Sequence, residues 1–434
     1  MAALAAGGAA RADAPSPLGH EEARLANGLR LFVIVDHRAP EAAVVTWYRV
    51  GSGNEAPGRT GLAHLFEHLM FKGSPHAADG VFDKAVEEQG GWSNAETDQD
   101  RTLYLDLARV AFLPRALWLE ADRMAGLADA LDAAKLENQR DVVQNERRET
   151  HENQPYGMAD ILVGEALWPP GHPYHAPVIG YPDDLRAATV EDARAFFRAH
   201  YLPANAILVV AGDVDAAAVR AAVEKDFGWM PRRPAPARAA VADPPPITKA
   251  VRISSDDDVQ VPRVYLSWRG VRAFAADEPP LELVAAMLAG GKSSRLYRRL
   301  VVEDRLAQDV FAGNQSSELG GEVQVVATAK PGVDPARIVA AVDEELGRLG
   351  DAAELERAKN VREAGFLSGL SGLTARAELL ARYAVLAGDP DHLDKDLARF
   401  RQVTPADVKH AVGRYLGPES RVILTVGPRG THAR

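Results

Sequence analysis

The sequence predicts an α+β protein made of two homologous domains, each an α/β roll in which helices pack on one side of a mixed or antiparallel sheet. Three observations predict this fold. A proline-rich stretch divides the 434 residues into halves of similar size, the ends of the two halves repeat one another, and strands and helices come in clusters. Strict alternation of strand and helix would instead be typical of a doubly wound parallel sheet.

The proline-rich stretch is interpreted as a linker over 230–249, and it contains the run PRRPAPARAAVADPPPITK. Because proline removes amide donors and holds the backbone extended, such a segment does not join a core. We therefore expect a first domain over 19–229, a second over 250–434, and an N-terminal arm over 1–18.

The arm begins MAALAAGGAARADA, in which Ala10-Arg11-Ala12 resembles the small-x-small site before a signal cleavage. Two interpretations are open. The arm is either the remnant of an export signal, which would place a bacterial protein in the periplasm, or a disordered Ala/Gly segment on a cytoplasmic protein.

The repeat is clearest at the end of each half, over 189–213 and 404–427. Each stretch predicts a helix capped by its first Thr, then Tyr-Leu, a short turn with proline, and an apolar strand that closes at or beside a glycine. A weaker match joins 42–50 to 263–271, since each reads as a strand with Trp near its end. The shared order of elements indicates duplication.

The first half carries the more distinctive elements. Asn27-Gly28 lies between two strand-like runs and predicts a two-residue hairpin. Helical patterns follow over 61–71, 80–89, 114–126 and 132–153. In the second half, the helix over 281–288 corresponds to the first of these and is apolar.

Composition excludes several classes of function. The chain has no cysteine, which excludes disulfides, thiolate zinc sites and cysteine nucleophiles. Its net charge of −11, from 50 basic and 61 acidic residues, argues against a nucleic-acid partner. No apolar run approaches the roughly 20 residues that a membrane-spanning helix needs, so no membrane span is expected.

The pentad His64-Leu65-Phe66-Glu67-His68 is the most informative motif. On a helix, positions 64, 67 and 68 share one face, so both imidazoles can reach a single Zn²⁺ at about 2.0–2.1 Å. The glutamate then lies beside the metal, where it can act as a general base. A solvated polar face, or core groups with satisfied hydrogen bonds, is the alternative, but the spacing matches the His-x-x-Glu-His signature of zinc peptidases.

Tetrahedral zinc in a hydrolase needs a third protein ligand and one open position for water. The helix over 132–153 supplies the candidates Glu137, Glu146, Glu149 and Glu152. An acidic helix of this kind is also typical of a solvated surface, and spacing alone does not choose among the four.

Three segments together resemble the pitrilysin (inverzincin) zinc metallopeptidase family, and most closely its shorter members, which include the mitochondrial processing peptidase and bacterial relatives. They are HLFEHLMFKG at 64–73, GWSNAETDQDRTLY at 91–104 and DVVQNERR at 141–148. The resemblance implies one zinc ion per chain, bound by His64, His68 and Glu146, with Glu67 as the base. Glu146 follows the second histidine by 146 − 68 = 78 residues, which fits the family's second motif.

The resemblance also implies a substrate and a partner. Asn94 and Ala95 would present backbone and amide groups to an extended peptide, in agreement with strand addition as a mode of peptide binding. For Asn94, an ordinary turn residue after Gly90-Gly91 is the alternative. Self-sufficient members carry an Arg and, seven residues later, a Tyr in the second half, where this sequence has Val301 and Gln308. A further acid before the zinc-binding glutamate is replaced by Gln139.

Because donors aimed at developing charge contribute several kcal/mol to catalysis, the loss of the Arg/Tyr pair predicts a heterodimer in which a homologous subunit supplies it. The leading interpretation is a zinc endopeptidase acting on oligopeptides or unfolded segments. A non-catalytic scaffold or assembly subunit of the same family is the alternative.

Overall fold

The computed structural model describes residues 18–238 and 240–430. The predicted N-terminal arm therefore lies outside the described residues, apart from Leu18. That side chain is buried and packs beside Leu370 and Leu397 of the second half.

The described residues form two β-sheets. The first has the order β1-β2-β6-β3-β5-β4, with β2 and β6 parallel and the other pairs antiparallel. Its strands are β1 (Glu21–Arg24), β2 (Arg30–Val35), β3 (Glu41–Tyr48), β4 (Trp92–Thr97), β5 (Thr102–Arg109) and β6 (Ala206–Gly212). Every residue of β6 is buried, which accounts for its continuous apolar run, AILVVAG.

Most helices of the first half cover one face of this sheet. Several begin at a side-chain cap: Asp132, Thr189 and Asp215 each accept a hydrogen bond from the backbone N–H three residues on. The helices are α1 (Leu62–Leu69), α2 (Val81–Glu87), α3 (Leu113–Ala130), α4 (Ala133–Arg147), α5 (Ala159–Leu167), α6 (Pro182–Ala187), α7 (Val190–His200) and α8 (Ala216–Phe227).

The second sheet has the order β7-β11-β8-β10-β9, and again its one parallel pair, β7 with β11, stands where β2 pairs with β6. Its strands are β7 (Val251–Asp257), β8 (Arg263–Gly270), β9 (Ala307–Ser316), β10 (Gly321–Ala329) and β11 (Arg421–Pro428). The helices are α9 (Glu278–Ala289), α10 (Pro335–Gly347), α11 (Ala352–Gly369), α12 (Leu373–Arg382), α13 (Leu393–Arg401) and α14 (Pro405–Tyr415).

The predicted α+β class and the duplication are confirmed. The repeated segments form α7 with β6 and α14 with β11, and both helices begin with a capping box, Thr189 with Asp192 and Thr404 with Asp407. The described residues of 230–249 contain no helix or strand, as expected of a linker. The boundaries 19–229 and 250–434 stay predictions.

Each half also covers the second face of the other half's sheet, which the sequence did not predict. Helix α12 packs through Ala377, Leu380 and Ala381 on the first sheet, opposite its own helices. Helix α5 does the same on the second sheet, where Ala159 and Val163 contact β8 and β11. Since α5 and α12 precede corresponding segments of the repeat, the exchange is reciprocal and holds the halves together.

Two elements differ from their predicted form. The hairpin is present, but its loop has three residues, 26–28, since the backbone N–H of Leu25 still donates to the carbonyl of Leu29. Gly28, with the left-handed φ of 102°, closes this longer loop, and the Asn27 amide donates to the carbonyl of Phe227 at 2.8 Å, which holds the loop against the end of α8. The helix predicted over 132–153 ends at Arg147 and continues as a π-helical turn, Arg148–Glu152.

Among the described residues, no helix combines the length and apolar character needed to cross a lipid bilayer.

Candidate metal centre

Helix α1 carries the pentad and is held at its N-terminus by a half-buried acid, Glu55. The Glu55 carboxylate accepts hydrogen bonds from the backbone N–H groups of Gly61 (2.9 Å) and Ala63 (2.7 Å), which have no partner inside the helix. Burial raises the pKa of Glu55 to about 8. Sequence reasoning missed this residue, although an acid shortly before the Gly-rich entry to the helix was a usable signal.

The segment around Ile179 and Gly180 approaches the start of α1 closely at Gly61, which has the left-handed φ of 87°. A Cβ atom there would lie 2.9 Å from the carbonyl oxygen of Ile179 and 3.0 Å from Cα of Gly180. Glycine therefore allows the segment that ends at Gly180 to lie against the start of the pentad helix.

The structure brings His64, His68 and Glu146 together. The Nε2 atom of His64 is 3.6 Å from Oε1 of Glu146, and Nε2 of His68 is 3.2 Å from Oε2. One donor atom from each residue lies within 4.8 Å of the others. Ligands of tetrahedral zinc at 2.0–2.1 Å stand about 3.3 Å apart, so two imidazoles and a carboxylate at these distances fit Zn²⁺ in both chemistry and spacing.

The other glutamates considered for the third position are not part of this cluster. Glu152 forms an ion pair with Arg147 at 3.0 Å, and Glu137 forms one with Arg140 at 2.9 Å. Glu149 is exposed in the π-helical turn. Gln139 is buried, and its amide donates to the side chain of Asn138.

The electrostatics of the cluster suit metal binding. Burial lowers the pKa of His64 to about 4, so the ring is neutral at physiological pH and offers a lone pair. A hydrogen bond with His68 lowers the pKa of Glu146, which keeps that carboxylate ionised. Burial raises the pKa of Glu67, as expected of a carboxylate that accepts a proton. The buried Nδ1 atom of His64 has no hydrogen-bond partner among the described residues.

A cavity of about 410 Å³ opens beside the cluster. It lies next to strand β4, the edge of the first sheet, on which Asn94 is exposed and Ala95 is buried. Neither of these two lines the cavity, whereas their neighbours do. The lining residues are His64, Glu67, Glu96, Thr97, Glu146, His151, Val178 and Ile179. Sequence reasoning selected Asn94 and Ala95 within the segment over 91–104 and not Thr97, and it did not select His151, because a histidine in an acidic helical stretch is typical of solvated surface.

None of the described residues of the second half lines this cavity. Gln308 lies at the start of β9 and its amide donates to the carbonyl of Ala329 at 3.1 Å, while Val301 packs against the second core. Helix α9, the counterpart of α1, is buried through apolar side chains such as Leu281 and Leu288.

Comparison with known proteins identifies the family. A model described as insulinase (peptidase family M16) matches residues 31–167, and one described as peptidase M16 inactive domain matches residues 187–362. The zinc protease PqqE of Helicobacter pylori is 32% identical over 405 residues, which are 91% of this chain and 90% of that one. The chain belongs to peptidase family M16. The resemblance inferred from the pentad is thereby confirmed.

Other M16 proteins extend the comparison. The crystal structure of a protease from Helicobacter pylori superposes with a TM-score of 0.86 at 29% identity, covering 94% of this chain and 99% of that one. A probable β subunit of the mitochondrial-processing peptidase from Arabidopsis thaliana is 26% identical, over 93% of this chain and 77% of its own length. The M16 match over 31–167 contains His64, His68 and Glu146.

Proposed function

We propose that this M16 protein is a zinc-dependent endopeptidase that hydrolyses peptide bonds in oligopeptides or unfolded segments. The observation that supports this most strongly is the convergence of His64, His68 and Glu146, residues from two helices, on one point beside a cavity. These three would hold a single Zn²⁺, which would supply Lewis-acid chemistry that polarises a peptide carbonyl and acidifies water.

Glu67 would be the catalytic residue of the chain itself. It lines the cavity beside both histidines, and its raised pKa suits a group that takes a proton from water and later passes it to the leaving amine. Because β4 is an edge strand, an extended peptide would add to it in the region of Asn94 and Ala95 and run past Glu67.

We further propose that full activity requires a homologous partner. Val301 and Gln308 occupy the places where self-sufficient relatives carry Arg and Tyr, and neither reaches the cavity. The relatives include chains named as β subunits of the mitochondrial-processing peptidase, which supports an assembly of unlike subunits. Export to the periplasm, one of the two interpretations of residues 1–18, also stays a proposal.

The test compares wild type with Glu67→Gln for zinc content and for cleavage of an unstructured peptide, each protein being assayed together with a homologous subunit that carries the Arg/Tyr pair. We expect equal zinc and a loss of cleavage of about 10²–10⁴-fold, the usual contribution of a positioned base. Glu149→Gln, an exposed glutamate in the turn that follows α4, is the matched control and should be unchanged. Equal cleavage by wild type and Glu67→Gln would remove Glu67 from the mechanism.

The same assay separates the partner proposal from the scaffold alternative. Wild type is measured alone and with a homologous subunit that carries the Arg/Tyr pair. Cleavage only in the mixture would support the heterodimer, whereas the same rate for the chain alone would refute the requirement. Zinc-loaded protein that cleaves in neither condition would favour the scaffold.

A further inference from the structure

His151 is a residue of the cavity to which the proposed mechanism gives no role. It lies in the π-helical turn Arg148–Glu152, which directly follows the helix of Glu146. The side chain lines the same cavity as His64 and Glu67, yet it is not one of the three donors that converge on the metal position. π-Helical turns of this kind often mark functional sites.

The orientation of the His151 ring is fixed by a hydrogen bond. Its Nδ1 atom is 3.1 Å from the carbonyl oxygen of Gly157. Since a carbonyl oxygen only accepts, Nδ1 carries the hydrogen, and in the neutral ring Nε2 is then an acceptor with a free lone pair. Gly157 is required for this arrangement, because a Cβ atom there would lie 2.2 Å from the backbone oxygen of His151.

The segment is also held from the second half. Tyr156 donates its backbone N–H to Oδ2 of Asp257 at 2.6 Å and its hydroxyl to the carbonyl of Val261 at 2.7 Å. The Arg263 guanidinium lies 3.9 Å from the centre of its ring. Tyr156 has the left-handed φ of 64°, which is strained for a tyrosine and persists only where surrounding contacts enforce it. The segment behind His151 is therefore tied to the second half by two hydrogen bonds and a cation–π contact.

A peptide bound at the cavity needs an acceptor on the side that β4 does not supply. A strand added to the edge of β4 pairs with it along one edge and leaves the backbone N–H groups of its other edge without partners. The cavity is lined both by β4, through Glu96 and Thr97, and by His151. A peptide along β4 would thus lie beside an imidazole with a preset acceptor.

We propose that His151 is a substrate-binding residue whose Nε2 atom accepts a hydrogen bond from a backbone N–H of the bound peptide. The inference rests on the proposed peptidase function. It adds a contact with the peptide that comes from the first half of this chain and not from a partner subunit. It predicts a loss of peptide affinity without loss of zinc when the acceptor is removed.

The experiment measures peptide binding to zinc-loaded full-length protein in the Glu67→Gln background, so that no cleavage occurs. Added changes are His151→Phe, which keeps the ring and loses the acceptor, and His151→Gln, which keeps an acceptor oxygen. The probes are one unstructured peptide and a set of depsipeptides, each with a single backbone N–H replaced by an ester oxygen. Zinc content is measured for every variant.

We expect His151→Phe to weaken binding of the parent peptide by about three- to tenfold, the usual value of one neutral hydrogen bond, and His151→Gln to recover part of it. One depsipeptide should bind the Glu67→Gln protein more weakly than the parent peptide does, by the same factor. The protein that also carries His151→Phe should bind this depsipeptide and the parent peptide with equal affinity. Three results would each overturn the proposal. They are equal affinity for the parent peptide in all variants, a loss of affinity from His151→Phe that adds to the loss from the ester at every position, and a loss of zinc in His151→Phe. Failure of the peptidase proposal is seen separately, as absence of cleavage by wild type both alone and with a homologous subunit that carries the Arg/Tyr pair.

Discussion

The ion pair between Asp36 and Arg376 offers a direct test of how the two halves are held together. Asp36 follows β2 of the first half, Arg376 lies on the exchanged helix α12, and both side chains are 7% exposed. The Asp36 carboxylate also binds Arg38, with Nη2 at 2.6 Å. These hydrogen bonds, that with Arg38 foremost, hold the pKa of Asp36 well below its usual range.

Asp36→Asn removes the counter-ion of a buried arginine, and breaking a buried pair from one side costs about 3–5 kcal/mol. The lower value is expected here, because the amide oxygen still accepts one hydrogen bond. The unfolding entropy is about 2.1 cal/mol/K per residue, which gives about 0.9 kcal/mol/K for the 434 residues if both halves unfold together. A loss of about 3 kcal/mol therefore corresponds to a fall in Tm of about 3 °C.

Thermal denaturation of the full chain measures this shift, with Asp213→Asn as the matched control. Asp213 pairs with His37 at 2.6 Å, but these side chains are 38% and 69% exposed, so its loss should cost less than about 0.5 kcal/mol. A lowered pKa means that Asp36 stabilises the fold above the pKa it has when unfolded, and that this contribution disappears as the pH falls. Two results would refute the reasoning. One is the same Tm for Asp36→Asn and Asp213→Asn at neutral pH, and the other is a difference in Tm between wild type and Asp36→Asn that persists at acid pH.

Two further predictions concern the site and the contact between the halves. Gly61→Ala should lower the free energy of unfolding by more than about 2 kcal/mol and weaken zinc binding, because the new Cβ would meet the backbone of Gly180. In the control Gly332→Ala, φ is 76° and the new Cβ would enter open space, so the cost should be only about 1 kcal/mol. Equal losses of stability for the two variants in thermal melts would contradict the close approach at Gly61. Asp100 accepts hydrogen bonds from the hydroxyl of Tyr174 and from the backbone N–H of Glu318 in the second half, and burial raises its pKa to about 6. The folded state therefore binds the proton more tightly than the unfolded state does. Wild type should lose about 1–2 kcal/mol of stability relative to Asp100→Asn as the pH rises from about 4 to 6. A difference in Tm between the two proteins that does not change with pH would exclude this.

Local signals account for what the sequence predicted. His64 and His68 are one helical turn apart, so their shared direction follows from helix geometry alone. The capped helices at Thr189 and Thr404 likewise carry their own start signals, which is why the duplication could be predicted from the amino-acid sequence alone.

Long-range packing accounts for what it did not predict. Four glutamates on one acidic segment are equivalent by spacing, and only the fold shows that Glu152 and Glu137 are paired with arginines while Glu146 faces the histidines. The exchange of α5 and α12 was not predicted because an apolar stripe on a helix does not state which sheet it covers. His151 was missed since a histidine among charged residues reads as surface.

The central claim is that His64, His68 and Glu146 form one zinc site with room for water. Zinc K-edge X-ray absorption of the purified, zinc-loaded chain, together with zinc stoichiometry, tests it most directly. We expect one zinc per chain with two imidazole nitrogens and oxygen ligands at about 2.0–2.1 Å, and a loss of that signal in Glu146→Ala. A stoichiometry near zero, a single imidazole, or an unchanged spectrum in Glu146→Ala would contradict the account.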